Sequence, residues 1–214
     1  MELYTFFRSS ASYRVRIALH LKSLAATPHF VHLSRDGGQQ HAPWFAGMNP
    51  EQLVPVLQDG DLALTQSLAI LEYLEERYPE VPLLPSACEE RARVRALALQ
   101  IACDIHPINN LRVLQYLERN LGVDAAQKQA WVAHWIGRGF TALETRLAAD
   151  HRTGLCCWGN TPTIADCCLV PQMFNARRFG IALDAYPTLV RIDAHLTGLQ
   201  AFQDAAPGRQ ADAE

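Results

Sequence analysis

Several features are missing from these 214 residues, and each absence narrows the reading. No apolar stretch reaches the roughly 18 residues of a membrane span, so no membrane partner is expected. The first residues lack the basic start and apolar run of a secretory leader and enter a strand pattern at once. Positive charge is not in excess. Lys and Arg number 19 against 22 Asp and Glu, a net charge of -3, which argues against nucleic acid as the main partner. Six cysteines are present, but no C-x-x-C and no Cys/His ligand spacing. Cys156-Cys157 and Cys167-Cys168 are adjacent pairs, a poor geometry for a bridge within a pair. With Cys88 and Cys103 they read as reduced, mostly buried thiols of a cytoplasmic protein. The eight histidines are scattered and suggest no metal site, and no internal repeat is visible. What remains is a chain with 49% hydrophobic residues, long enough for two small well-packed domains.

The most informative run is Arg8-Ser9-Ser10-Ala11-Ser12-Tyr13-Arg14-Val15-Arg16. It follows a short apolar strand over residues 3–6 and opens a helix expected from Ser12 to about Leu21. Three serines therefore lie where a helix leaves its first N–H groups unpaired and presents the positive end of its dipole. Such an end favours an anion, and a thiolate is one. The run contains no cysteine, so a thiolate here must arrive on a ligand. The simpler alternative makes Ser12 an N-cap and nothing more.

Strand and helix patterns alternate over residues 1–80 in the order βαβαββα. Strands are expected over 3–6, 30–33, 54–57 and 62–65, with Asp59-Gly60 turning the last hairpin. A helix is expected from Ser67 to Tyr78, its apolar residues at helical spacing. Residues 81–88 form a proline-bearing linker, and 89–214 read as all helical. Ser86-Ala87-Cys88-Glu89 has the form of a capping box, and Thr163-Ile164-Ala165-Asp166 is a weaker version opening a helix to about Arg178. Pro107 should break the helix it interrupts, a last helix should follow Pro187, and the small polar segment from Pro207 should be mobile. The fold class is thus α/β plus all-α.

These residues resemble the zeta class of the glutathione transferase family, which includes maleylacetoacetate and maleylpyruvate isomerases. The resemblance is carried by Phe7 to Leu19, by Asp36-Gly37-Gly38-Gln39-Gln40, Asn49-Pro50, Val54-Pro55 and Gln66-Ser67. In the second half it is carried by Asp104 to Arg112 and by Leu169-Val170-Pro171-Gln172. It runs over nearly the whole chain, in order and at compatible spacing. It implies a thioredoxin-like glutathione-binding domain over 1–80, a helical-bundle substrate domain over 89–214, and a homodimer. One position departs: where the class commonly carries Cys in Ser-Ser-Cys, this chain has Ala11.

The resemblance implies specific roles. Ser9 would donate its hydroxyl hydrogen to the glutathione sulfur, helped by Ser10 and by the N–H groups of the helix start around Ala11. A hydrogen bond to the charged form lowers a pKa, and a free thiol near ~8.5 needs only a small shift to ionise. A cis Val54-Pro55 bond would expose the backbone of Val54 to the cysteinyl part of the ligand, like an added strand. Gln66 and Ser67 would receive the γ-glutamyl carboxylate, although a plain N-cap serves equally as a reading of Ser67. Gln40 would touch the glycyl end, or else be a solvated loop glutamine. His106 and Asn110, placed on one helical face by their spacing of four, and Arg112 would be further glutathione contacts. Arg112 falls about 160° from Asn110 on an ideal helix.

Arg8 and Arg178 would bind the carboxylates of a dicarboxylate substrate, for which planar guanidinium groups suit. The implied reaction is a glutathione-dependent cis–trans isomerisation by thiolate addition, bond rotation and elimination. Ser9 would equally serve a transferase that conjugates or dehalogenates small electrophiles, and folds of this family also act as binding modules. The arginines favour the isomerase.

Overall fold

Burial alternates along Glu2–Thr5, with Leu3 and Thr5 inward, and this segment is strand β1 of the computed structural model, which describes all residues 1–214. The sheet has four strands in the order β2-β1-β3-β4. Strand β2 (Thr27–Phe30) runs parallel to β1, with Pro28 opposite Leu3. Strand β3 (Val56–Asp59) runs antiparallel to β1, with Leu57 opposite Leu3, and pairs with β4 (Leu62–Leu64). Gly60 supplies the positive φ, 59°, that the two-residue hairpin turn needs.

The second strand was expected over 30–33 and lies three residues earlier. It contains Pro28, which cannot donate to a ladder; β2 is an edge strand, where that loss is tolerated. Only Val31 N–H continues the pairing, to Thr5 C=O, before the chain leaves the sheet.

Helix α1 (Ser10–Leu21) begins two residues before expectation, and its N-cap is Ser9, not Ser12. Helix α2 (Pro43–Met48) is short, and α3 (Ser67–Arg77) follows β4. Nearly all of α1 is buried, because it packs on α3 and also on α9 (Gln200–Ala205).

That last contact corrects the expected domain limits. The compact units are Met1–Leu83 with Gly198–Glu214, and Leu84–Thr197. Phe202 and Ala205 are buried, Tyr13 Oη donates to Phe202 C=O at 3.4 Å, and Arg16 Nε donates to Ala205 C=O at 3.0 Å. Nor does the structure bear out a loose segment from Pro207: a 3-10 turn at Pro207–Arg209 follows α9, and Asp212 and Glu214 both hydrogen-bond within the first unit.

The second unit is all helical: α4 (Cys88–Leu99), α5 (Leu111–Leu121), α6 (Ala125–Ala149), α7 (Ile164–Arg178) and α8 (Pro187–Thr197). The box expected at Ser86 does not form. Helix α4 starts at Cys88 with Ala87 as N-cap, which leaves Ser86 one residue outside. The Thr163/Asp166 box does form, and Asp166, wholly buried, accepts from Thr163 N, Thr163 Oγ1 and Cys157 N, each at 2.8 Å. Between α4 and α5 the helix widens into a π segment, Gln100–Ile105, then tightens to a 3-10 turn at Pro107–Asn109. Gly139 on α6 makes room for it: a Cβ there would lie 2.3 Å from Ile105 Cδ1.

Candidate active site

At the β1–α1 turn, Ser9 N–H donates to Phe6 C=O at 3.0 Å and Ser9 Oγ accepts from Ser12 N–H at 3.2 Å. The oxygen acts as acceptor in this cap, so the hydroxyl hydrogen remains available to a ligand. Capping and donation to an anion are therefore compatible roles of one serine. Tyr13 N–H bonds Ser9 C=O, which leaves the N–H groups of Ser10 and Ala11 ahead of the first intrahelical bond. Ala11 contributes backbone alone, having no thiol. Arg8 is exposed, and its guanidinium lies 5.0 Å from the Phe7 ring centroid and 5.7 Å from that of Phe6. Stacking on two rings steadies the group while its edges face solvent.

The turn rests on a residue to which no role attached in the sequence. Arg16 is buried and its guanidinium donates to Thr5 Oγ1 at 3.1 Å, Phe6 C=O at 3.3 Å, Phe7 C=O at 2.9 Å and Ala205 C=O at 3.0 Å. Burial lowers its pKa to about 10, with the charge of Asp212 acting in the opposite sense, so it stays protonated near neutrality. The signal was there in outline: Arg14 and Arg16 are charged residues in a helix otherwise made for burial.

The remaining first-unit candidates lie on the neighbouring elements. The Val54–Pro55 bond is cis, as expected, and Val54 precedes β3, outside the β1–β3 register. Its side chain joins Phe6, Phe7 and Phe45 in one cluster, with Leu33 packed against it. Ser67 is buried and opens α3, and its hydroxyl accepts from Arg14 Nη1 at 3.1 Å. The plain N-cap reading of Ser67 does not hold, because the cap position belongs to Gln66, at a φ of 65° and without a side-chain cap bond. Gln66 Nε2 instead donates to both carboxylate oxygens of Glu51 at 2.9 Å.

Gln40 is not a solvated loop residue. It is buried, lies against Gly38, and donates from Nε2 to Leu33 C=O at 3.4 Å. Its Oε1 is buried without a partner. A buried amide oxygen left open, a serine hydroxyl already aligned by an arginine, and a helix start with unused N–H groups suit a ligand carrying carboxylates, amides and a thiolate.

The second-unit candidates stand on their own element ends. His106, half-buried, follows the π segment, and Asn110 is the N-cap of α5, its Oδ1 accepting from Arg112 N–H at 3.1 Å. His106 and Asn110 do not share a helical face. The 3-10 turn separates them and Asn110 is extended, so the angle reckoned between Asn110 and Arg112 does not apply either. Arg112 is exposed in the first turn of α5. Arg178 ends α7, with Nη2 donating to Asn175 Oδ1 at 2.9 Å and the guanidinium 4.2 Å from the Phe179 ring centroid.

Neither Cys156 nor Cys157, both buried, supplies a thiolate. Burial pushes Cys156 up to about 12 and Cys157 well above the ordinary thiol range. No group of His, Cys, Asp and Glu could hold a metal ion.

Comparison with known proteins places the chain as a whole. A family model described as the glutathione S-transferase N-terminal domain matches residues 3–82. The chain is 54% identical over 211 residues to the probable maleylacetoacetate isomerase of Vibrio cholerae serotype O1, covering 99% of this chain and 97% of that one. Its structure superposes with a TM-score of 0.97, at 48% identity and full coverage of both chains, on a holo maleylpyruvate isomerase, a bacterial zeta-class glutathione S-transferase. A maleylacetoacetate isomerase of Methylobacterium extorquens AM1, with bound malonate and glutathione, gives a TM-score of 0.95 at 43% identity, again with full coverage.

Proposed function

This chain belongs to the zeta class of the glutathione transferase family, and from that premise we propose that it is a glutathione-dependent cis–trans isomerase converting a maleyl compound, maleylacetoacetate or maleylpyruvate, to its fumaryl isomer. When bound, glutathione would supply the nucleophilic thiolate for addition to the cis double bond, rotation about the single bond and elimination, without being consumed. Everything else falls to the residues of the chain.

Ser9 donates its hydroxyl hydrogen toward the sulfur and, with the N–H groups of Ser10 and Ala11, favours the ionised thiol. Val54 offers its backbone N–H and C=O to the cysteinyl residue. Ser67, aligned by Arg14, receives the γ-glutamyl carboxylate at the start of α3, beside Gln66. Gln40 Oε1 accepts from the glycyl end. His106, Asn110 and Arg112 are the further glutathione contacts that the resemblance implies. Arg8 binds a substrate carboxylate and stabilises the negative charge that develops on the substrate oxygen; Arg178 is the other carboxylate contact that the resemblance implies. The working form is a cytoplasmic homodimer, which sedimentation would check.

The observation that carries the reading is the cap at Ser9, whose oxygen accepts from Ser12 and leaves its hydrogen to a ligand. Rates measured with and without glutathione test it: a rate that does not depend on glutathione defeats the proposal, and net consumption of glutathione would indicate a transferase. Replacing Ser9→Ala should cut turnover by about a hundredfold, as for loss of one well-placed donor, and weaken the thiolate absorbance of bound glutathione at pH 7.

A further inference from the structure

Two carboxylates from the segment after α9 reach the glutathione half of the site, and none of the roles above uses them. Phe7 N–H donates to Asp212 Oδ2 at 3.0 Å, directly before Arg8 and Ser9 in the chain. The other carboxylate oxygen, Oδ1, is buried with no hydrogen-bond partner. A carboxylate held half-satisfied is costly unless it serves a purpose beyond packing.

Glu214 Oε1 accepts from His32 Nε2 at 3.2 Å and pairs with Arg35 Nη2. His32 Nδ1 accepts from the N–H groups of Ser34, at 3.2 Å, and Arg35, at 2.8 Å. An acceptor at Nδ1 places the ring proton on Nε2, which therefore donates to Glu214. The backbone of His32 is bonded in both directions to Gln39: N–H to Oε1 at 2.9 Å, and C=O from Gln39 N–H at 2.8 Å. The loop that buries Gln40 is thus closed around His32. The same imidazole meets the Phe6 ring edge-on at 4.8 Å, and Phe6 lies under Arg8.

We propose that Asp212 and Glu214 are positioning residues that hold the Phe7–Ser9 turn and the Gln40 loop in the glutathione-binding geometry before the ligand arrives. The inference rests on the reading that Ser9 and Gln40 hold glutathione. Neither carboxylate touches a reacting atom. Its loss lowers the fraction of binding-competent chains, which weakens apparent affinity in proportion, while turnover at saturation is preserved. Asp212 carries more of the effect than Glu214. The Arg35–Glu214 pair is exposed and such pairs contribute little, whereas Asp212 holds a main-chain donor beside the reacting serine.

The test is glutathione binding by calorimetry, exchange of the Phe7 amide by NMR, and separate kcat and KM values for wild type, Asp212→Ala, Asp212→Asn and Glu214→Ala. Asp212→Ala should weaken glutathione binding about three- to tenfold, the range of one net hydrogen bond, speed exchange at Phe7 and leave kcat unchanged. Asp212→Asn keeps an acceptor oxygen and should recover most of the affinity. Glu214→Ala should cost about twofold. Wild-type affinity in Asp212→Ala overturns the proposal, as does a fall in kcat with KM for glutathione unchanged. If Asp212→Ala does not fold, Glu214→Ala decides, and an unchanged affinity there overturns it. A wild-type chain that binds no glutathione defeats the functional reading itself, an outcome distinct from equal binding by wild type and variants.

Discussion

Both units bury charged side chains on helices, and two of these, Arg16 in the first unit and Asp166 in the second, are satisfied in opposite ways. In the first, Arg16 on α1 is surrounded by acceptors, chiefly the carbonyls of Phe6, Phe7 and Ala205. In the second, Asp166 on α7 is surrounded by donors, the N–H groups of Cys157 and Thr163 and the Thr163 hydroxyl. Both follow the rule that a buried charge must be hydrogen-bonded. Their reach differs. Asp166 closes contacts within ten residues of itself, so it organises a local corner. Arg16 joins β1, α1 and a segment almost 190 residues away, and the carbonyls it holds belong to the residues leading into Arg8 and Ser9. The same physical problem yields a structural hub in one unit and a support for chemistry in the other.

Replacing Arg16→Leu should break that contrast most severely. It leaves several acceptors unpaired and should cost about 3–5 kcal/mol, with glutathione affinity falling as well; urea unfolding and calorimetry read both. Asp166→Ala should cost about 2–3 kcal/mol in the same unfolding assay, yet leave glutathione affinity of the folded protein unchanged. If affinity falls equally in the two variants, the division between support and structure is wrong. Gly139→Ala presses a methyl against Ile105 and should cost about 1–3 kcal/mol, moving the π segment that precedes His106; amide shifts at His106 and Asn110 would register the movement.

The smallest effect belongs to the corner formed by Asp150 and Arg152. The bidentate hydrogen bonds from Arg152 hold Asp150 down to about 2. A carboxylate with a depressed pKa stabilises the fold above its ordinary value of 3.8 and loses that contribution as pH falls toward about 2. Asp150→Asn should therefore lower stability at pH 7 by under about 1 kcal/mol, screening included, and flatten the acid limb of the stability–pH curve.

Local signals hold where they involve few residues. Gly60 turns its hairpin, the Thr163/Asp166 box forms, Pro187 opens α8, and the helix breaks at Pro107. Boundaries slipped by one to three residues where two local rules competed. Strand β2 carries a proline that its edge position permits, and Ser86 and Ser12 resemble caps one and three residues from the true ones. At the site, Ser9 at a helix start and the Val54–Pro55 bond stood as expected. The supports were invisible, because Arg14 reaches Ser67 across 53 positions and Asp212 reaches Phe7 across 205.

The βαβαββα order, the helical second half, and an anion-favouring helix start without a thiol of its own are written in the order of residues. Those features depend on periodicity, caps and turn residues, which act over a few positions. It took the folded chain to place residues 198–214 with the first unit, to bury Gln40 with an open acceptor, and to set Arg16 and Asp212 behind Ser9. A buried guanidinium or carboxylate must find its partners wherever the fold brings them, and separation along the chain carries no record of that choice.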